Sequence, residues 1–272
     1  MLIRYNPYTM SKRLKLVTRS LGAEPGIPDA GALARWIAEN RGTAADLTTY
    51  RLLQSFIPQR ESGIDTPCAG GKFMKDRVLE CILGIADAKT TGELGVRAHA
   101  LVEDGYAITA EKRKSWCALP APHLLGITDT YYFDESEWSA AINSTYKTLL
   151  REMRDAGITG HILIGDTARE EEVSVLARQN VVFFVPDPDR QSLEIMLEHQ
   201  HLVAVGTDRM GSVFDLVNEY DLRQIIIIDT DRKGIALALT HLDPDQVLVG
   251  GYCTVEDDEY WKNIVKTSDY AQ

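Results

Sequence analysis

The sequence predicts an α/β fold: a mainly helical region with a short β segment over residues 1–157, then a Rossmann-like parallel sheet of about five strands over residues 158–272. Three observations carry this. Five short apolar runs follow one another after residue 160, each the length of a strand. Helical stretches separate several of them, and strand–helix–strand alternation implies right-handed crossovers and parallel pairing. Aspartate follows four of the runs at an interval of 21 residues, the mark of a repeated βα unit. The alternative architecture is a (β/α) barrel, which needs about eight strands where the first half offers few.

Residues 11–21 place Leu14, Val17 and Leu21 on one face with basic residues between them, an amphipathic helix pattern. Pro25-Gly26-Ile27-Pro28 breaks the chain. Asp29 caps a helix through Leu33, Trp36 and Ile37 that Gly42 ends, and Thr43 opens another holding Tyr50, Leu52, Leu53 and Phe56. Residues 59–71 are polar and Gly-rich and read as a loop, and residues 72–86 as a helix burying Met74, Val78, Leu79, Ile82 and Leu83. Residues 91–104 read as a short helix stopped at Gly105, and residues 106–109 as a brief strand. Residues 116–126 contain two prolines and read as ordered coil. A long helix starts at Asp134 or Ser136 and runs to about Asp155, closed by Gly157.

The pattern then changes. Residues 161–166, 181–185, 202–205, 225–228 and 247–249 are short, almost continuously apolar and mostly rich in β-branched residues, as strands buried on both faces are. Residues 169–178 and 192–199 read as helices between them.

Net charge is −11, and 21 of the 40 acidic residues lie after residue 157 against 9 of the 29 Lys and Arg. An acidic surface repels nucleic acid and anionic lipid at long range and suits a small-molecule or metal ligand. No run approaches the ~20 apolar residues that cross a bilayer, and residues 1–7 lack a secretory apolar core. Cys68, Cys81, Cys117 and Cys253 are few and scattered, which predicts a cytoplasmic protein without a disulfide framework. Homo-oligomerisation stays open.

In a parallel sheet Asp166, Asp187, Asp208 and Asp229 share the carboxyl edge, where open α/β sheets place ligands; the next step of the interval lands on Gly250. Helix capping explains the same spacing, since Asp is a preferred N-cap; Asp189, and Thr167 with Glu170, fit that role. As ligands, two or three converging carboxylates would hold Mg²⁺, with Asp229 and Asp231 the metal pair and Arg232 beside Lys233 meeting phosphate. Asp229-Thr230-Asp231 resembles the nucleophile motif of haloacid dehalogenases, but Arg232-Lys233 stands where that family has a Gly-Thr type continuation. Asp187-Pro188-Asp189-Arg190 resembles the acidic motif of Toprim enzymes without its following Gly and Glu. Neither resemblance extends beyond these residues.

Gly70-Gly71-Lys72 is not a P-loop, because Thr66 stands at the earlier glycine position, and no GxGxxG, GxSxG or HExxH occurs. Cys68, in a small-residue loop, and Cys117, near His123, are the candidate reactive thiols. His161, His199 and His201 fall on the edge opposite the aspartates and read as surface or capping residues. Lys112-Arg113-Lys114, after helices and a short strand, loosely resembles a winged-helix wing, but solvated loop charge is the preferred reading.

The expected function is an enzyme or binding protein for a small anionic or metal-linked ligand at the carboxyl edge. The alternative is a regulatory or assembly module whose N-terminal helical part binds a partner protein or DNA.

Overall fold

In a computed structural model, residues 13–40, 45–255 and 259–271 are described. Eight parallel strands form the centre: β1 (Val17–Ala23), β2 (Cys68–Gly70), β3 (Trp116–Pro120), β4 (Gly160–Ile164), β5 (Val181–Phe184), β6 (Leu202–Gly206), β7 (Gln224–Ile228) and β8 (Val247–Cys253). They pair as two four-stranded sheets, in the orders β1-β8-β7-β6 and β2-β3-β4-β5. Backbone bonds join the sheets on one side, from Ser20 N–H to the Thr66 carbonyl and from Thr66 N–H to the Thr18 carbonyl, 3.0 Å each. At the β5–β6 seam the side chain of Gln200 stands in for a ladder. Its amide accepts from Phe183 N–H at 2.9 Å and donates to the carbonyls of Phe183 and Leu202 at 3.0 and 2.8 Å. The fold is therefore of the (β/α) barrel kind, and the expected five-stranded Rossmann-like sheet is corrected.

Ten helices are described: α1 (Ala30–Glu39), α2 (Leu47–Ser62), α3 (Lys75–Glu80), α4 (His99–Glu111), α5 (Glu135–Asp155), α6 (Glu170–Leu176), α7 (Arg190–His199), α8 (Met210–Leu216), α9 (Arg232–Ala238) and α10 (Tyr260–Ser268). An antiparallel hairpin, Ile82–Ala86 with Lys89–Val96, interrupts the layer between α3 and α4. A short antiparallel pair, Arg13–Lys15 with Asp269–Ala271, joins two distant stretches of chain.

Period-2 alternation divides each strand between two cores. Leu21, Cys68, Trp116, Ile162, Phe184 and Ile226 belong to the barrel interior. Cys117, Leu163, Phe183, Val203, Ile225 and Val247 pack outward under the helices. This double burial explains why the later strands read as continuous apolar runs.

The first half differs from expectation for local reasons. β1 replaces the expected helix. It is buried on both faces but carries Thr18, Arg19 and Ser20, so its polar content hides a strand. β2 has three small residues, too few for a pattern, inside the expected loop. The expected helix over 72–86 ends at Glu80 and gives way to the hairpin, whose turn places Asp87 and Ala88 at φ 49° and 56°. The expected helix over 91–104 is instead a strand to Val96 followed by α4, which also absorbs the expected strand at 106–109. The expected coil is β3, with Pro120 as its last residue, beyond the Gly70–Ala118 end of the β2 ladder, so its missing N–H costs no bond to β2. The division at residue 157 is not a boundary in hydrogen bonding: β3 pairs with β4 from Trp116–Gly160 to Pro120–Ile164. Gly42 and Thr43, expected at helix ends, lie outside the described residues.

Candidate functional site

All eight strands point the same way, so the residues that follow them ring one rim, the position at which barrel enzymes carry their chemistry. Asp166, Asp187, Asp208 and Asp229 follow β4, β5, β6 and β7 on that rim. Their partners separate them.

Asp166 accepts from Nε2 of His123 at 2.8 Å, while Nδ1 of the same ring meets Glu172 at 2.7 Å. Glu172, buried on α6, also accepts the His123 backbone N–H at 2.9 Å. Two carboxylates thus clamp a buried imidazole between the ends of β3 and β4. Asp187 accepts from Nε and Nη2 of Arg209 at 2.9 and 2.6 Å, and Asp208 lies 3.8 Å from the same guanidinium. Both pairs are exposed and weakly held.

Asp229 is different. It adopts φ 48°, a left-handed conformation uncommon for a residue with a side chain, and accepts a hydrogen bond from the Tyr260 hydroxyl. The residue is exposed, but neighbouring atoms partly desolvate its carboxyl and raise it from the ordinary value, with the Tyr260 bond a partial offset. Burial, reinforced by Asp229, likewise pushes the Tyr260 phenol up. Asp231, expected as its metal partner, is instead the N-cap of α9 and accepts from the N–H groups of Lys233 and Gly234 at 2.9 Å each. Arg232 is exposed at the first position of α9. Asp189 caps α7 through Ser192 N–H at 2.8 Å.

The candidate thiols are not accessible. Cys68 faces the barrel interior and Cys117 the helical layer, both with no exposed surface, and burial pushes both thiols up. The expected loop around Cys68 is a strand, which is why the thiol is enclosed.

Two rim groups escaped the sequence reading. Glu24, directly after β1, accepts from the Tyr252 hydroxyl on β8 and from the N–H groups of Lys72 and Phe73. It thereby ties the ends of β1 and β8 to the segment after β2. Tyr252 also packs edge-on against Phe184 at 5.5 Å and 76°, closing the barrel axis below the rim. Glu24 is one residue past a strand that reads as a helix, so the acid-after-strand signal was present but unattached to a strand. A cavity of about 300 Å³ opens beside it, walled by Ile27, Gln54, Val255 and Trp261. Another of about 930 Å³ lies between α5 and α6 against His123 and Glu172.

Among the described residues, one group has the ligand set for a metal ion. Glu170 on α6 and Glu198 and His199 on α7 bring their ligand atoms within 4.8 Å of one another. His199 Nε2 and Glu170 meet at 2.7 Å. An imidazole with two carboxylates suits a transition metal better than the Mg²⁺ expected for an all-oxygen site. This group lies in the helical layer and contains none of the predicted rim ligands. Among the described residues, no helix is long and apolar enough to cross a membrane.

Solved structures of similar shape align over nearly the whole chain. A methyltransferase from Methanosarcina mazei aligns at TM-score 0.58 and 11% identity over 94% of each chain. A B12-independent methionine synthase from Shewanella sp. W3-18-1, in complex with selenomethionine, aligns at 0.56 and 14% over 94% of this chain and 97% of that one. The putative vitamin-B12-independent methionine synthase from Listeria monocytogenes aligns at 0.53 and 12%, over 94% of this chain and 95% of that one. The likeness is one of fold. No protein-family profile and no curated protein matches the sequence.

Proposed function

We propose that this barrel is an enzyme or ligand-binding protein that works at its carboxyl rim. Its ligand carries a metal ion or an amine, and Asp229 with Tyr260 handles a proton. The observation that carries this reading is Asp229 itself. It combines a left-handed backbone, a carboxyl raised by partial desolvation although the residue is exposed, and a single phenolic donor at a strand end. An uncommon backbone conformation and a shifted carboxyl at the rim of a barrel are what acid–base chemistry uses. The carboxylates of Glu24, Asp208 and Asp229 on the same rim favour a cationic or metal-linked group over a bare anion. The Shewanella barrel is in complex with selenomethionine, an α-amino acid, which makes L-methionine the first amine to try.

Calorimetric titration of the intact chain with L-methionine and with Mg²⁺, Mn²⁺ and Zn²⁺ tests this. Saturable binding is expected with at least one, weakened about tenfold or more by Asp229→Asn and less by Tyr260→Phe. Binding that Asp229→Asn leaves untouched, or none to any of these probes, overturns the reading.

A second reading, a module that docks a partner protein through its N-terminal helical part, is supported by α1. Asp29 caps this helix, yet none of its residues is buried, and Ile37 with nearby Ile27 is exposed. Light scattering after size exclusion should then show self-association or complex formation that Ile37→Glu removes. A monomer at all concentrations that captures no partner counts against it.

A further inference from the structure

The opposite end of the barrel holds an arginine that the rim chemistry does not use. Arg19 lies on β1 two residues before Leu21, so it shares the interior face; it is 9% exposed. Its guanidinium carbon lies 4.0 Å from the centroid of the Trp116 ring. Among the described residues, its Nε and Nη2 are buried without an acceptor. Burial lowers its pKa to about 10, and no carboxylate contributes to holding it up. A buried charge in this position is costly unless a counter-charge reaches it.

The surroundings leave room for one. Arg19 borders a cavity of about 940 Å³ whose wall includes Val182, Leu202, Gln224 and Gln246, at or beside the starts of β5 to β8. Trp116 presses close to β4, where a Cβ on Gly160 would stand 2.7 Å from the indole. That contact keeps the guanidinium face on the ring and leaves the edge of the fork to donate. Gln246 Oε1 accepts Asp243 N–H at 3.0 Å, so its amide N–H groups remain as donors. The outer charges are matched locally. Arg223 meets Asp221 at 2.9 Å, His201 Nδ1 donates to the Asp221 carbonyl at 2.9 Å, and Arg178 donates to the carbonyls of Ser174 and Ala177. Asp245 lies on the same border and is exposed.

We propose that this amino-end cavity binds a small oxyanion, a carboxylate or phosphate group, with Arg19 as the anchoring charge and Gln224 and Gln246 as neutral donors. A planar fork with two donors and no protein acceptor is matched in geometry and charge by two oxygens of such a group. The site lies at the end of the barrel away from the aspartate rim and stands independently of the function proposed there.

The test titrates the intact chain with inorganic phosphate and, separately, acetate, against NaCl at matched ionic strength, reading heat and melting temperature. Saturable binding and stabilisation are expected for at least one anion, and which one responds assigns phosphate or carboxylate. Arg19→Met should weaken binding about tenfold or more, since a charge-assisted pair is lost, and leave the melting temperature without anion equal or higher. Arg19→Lys, which keeps charge but not the fork, should bind more weakly than the wild type. Should Arg19→Met not fold, a tungstate soak of wild-type crystals decides: a peak within hydrogen-bond distance of the Arg19 guanidinium supports the site. No such peak, no saturable response beyond NaCl, or undiminished binding by Arg19→Met overturns it.

Discussion

The two ends of the barrel solve the problem of charge in opposite ways. At the carboxyl rim, acids are abundant and these already have partners: Asp231 accepts from backbone N–H groups, Asp187 from Arg209 and Asp166 from His123. At the amino end, a single guanidinium is buried against an indole with its donors unspent. Abundance of charge is therefore a poor guide to reactivity. Where a carboxylate already caps a helix, its regular spacing reflects the βα repeat. Where a charged group is buried and unmatched, the fold has left something to be supplied.

The largest effect that would sharpen this contrast is at the amino end. Trp116→Ala should cost ~3–5 kcal/mol in chemical denaturation, because it empties a packed site and removes the platform under Arg19. At the rim, Tyr252→Phe should cost less, ~1.5–3 kcal/mol, the range for one hydrogen bond to a charged group, here the Glu24 carboxylate. Equal costs would mean that both ends are held by packing.

A smaller effect concerns His161, on the outward face of β4, where burial and the nearby Arg154 lower its pKa to about 3. The unfolded chain takes up a proton near the ordinary value of 6.5 that the folded chain refuses. Its contribution is therefore whole above that pH and is lost as pH falls, by up to ~1.4 kcal/mol per pH unit down to about pH 3. His161→Phe should flatten that slope in denaturation curves between pH 4 and 6; an unchanged slope would place the acid sensitivity elsewhere.

The smallest effects sort the aspartates. Asp231→Ala should destabilise by ~1 kcal/mol as a lost cap, while Asp231→Asn, which caps as well, should be nearly neutral. Asp187→Ala should cost less than ~1 kcal/mol, since its pairing with Arg209 is exposed. A large loss of ligand binding on Asp231→Asn would return that residue from the helix cap to the site.

Legibility followed burial chemistry. The strands β4 to β8 could be read because both faces are apolar, so each forms an uninterrupted run. β1 could not, because Arg19 faces inward and Thr18 and Ser20 face out, nor could β2, because Cys-Ala-Gly carries no period. Pro120 disguised β3. Missing these three strands turned an eight-stranded barrel into an open sheet. The rim site was half visible: Asp229 stood out by spacing, whereas Glu24 and Tyr252 became neighbours only when β8 paired with β1.

What the sequence determined by itself is the repeat: a strand, an aspartate and a helix every 21 residues from Asp166 to Asp229, written in local apolar runs and capping residues. Closure was decided by tertiary structure alone. The pairing of β8 with β1 joins residues more than two hundred positions apart, and the Gln200 seam and the burial of Arg19 depend on the closed interior. Local patterning records which face of a segment is apolar. It does not record which distant segment will cover that face, and that choice separates a capped helix from a site.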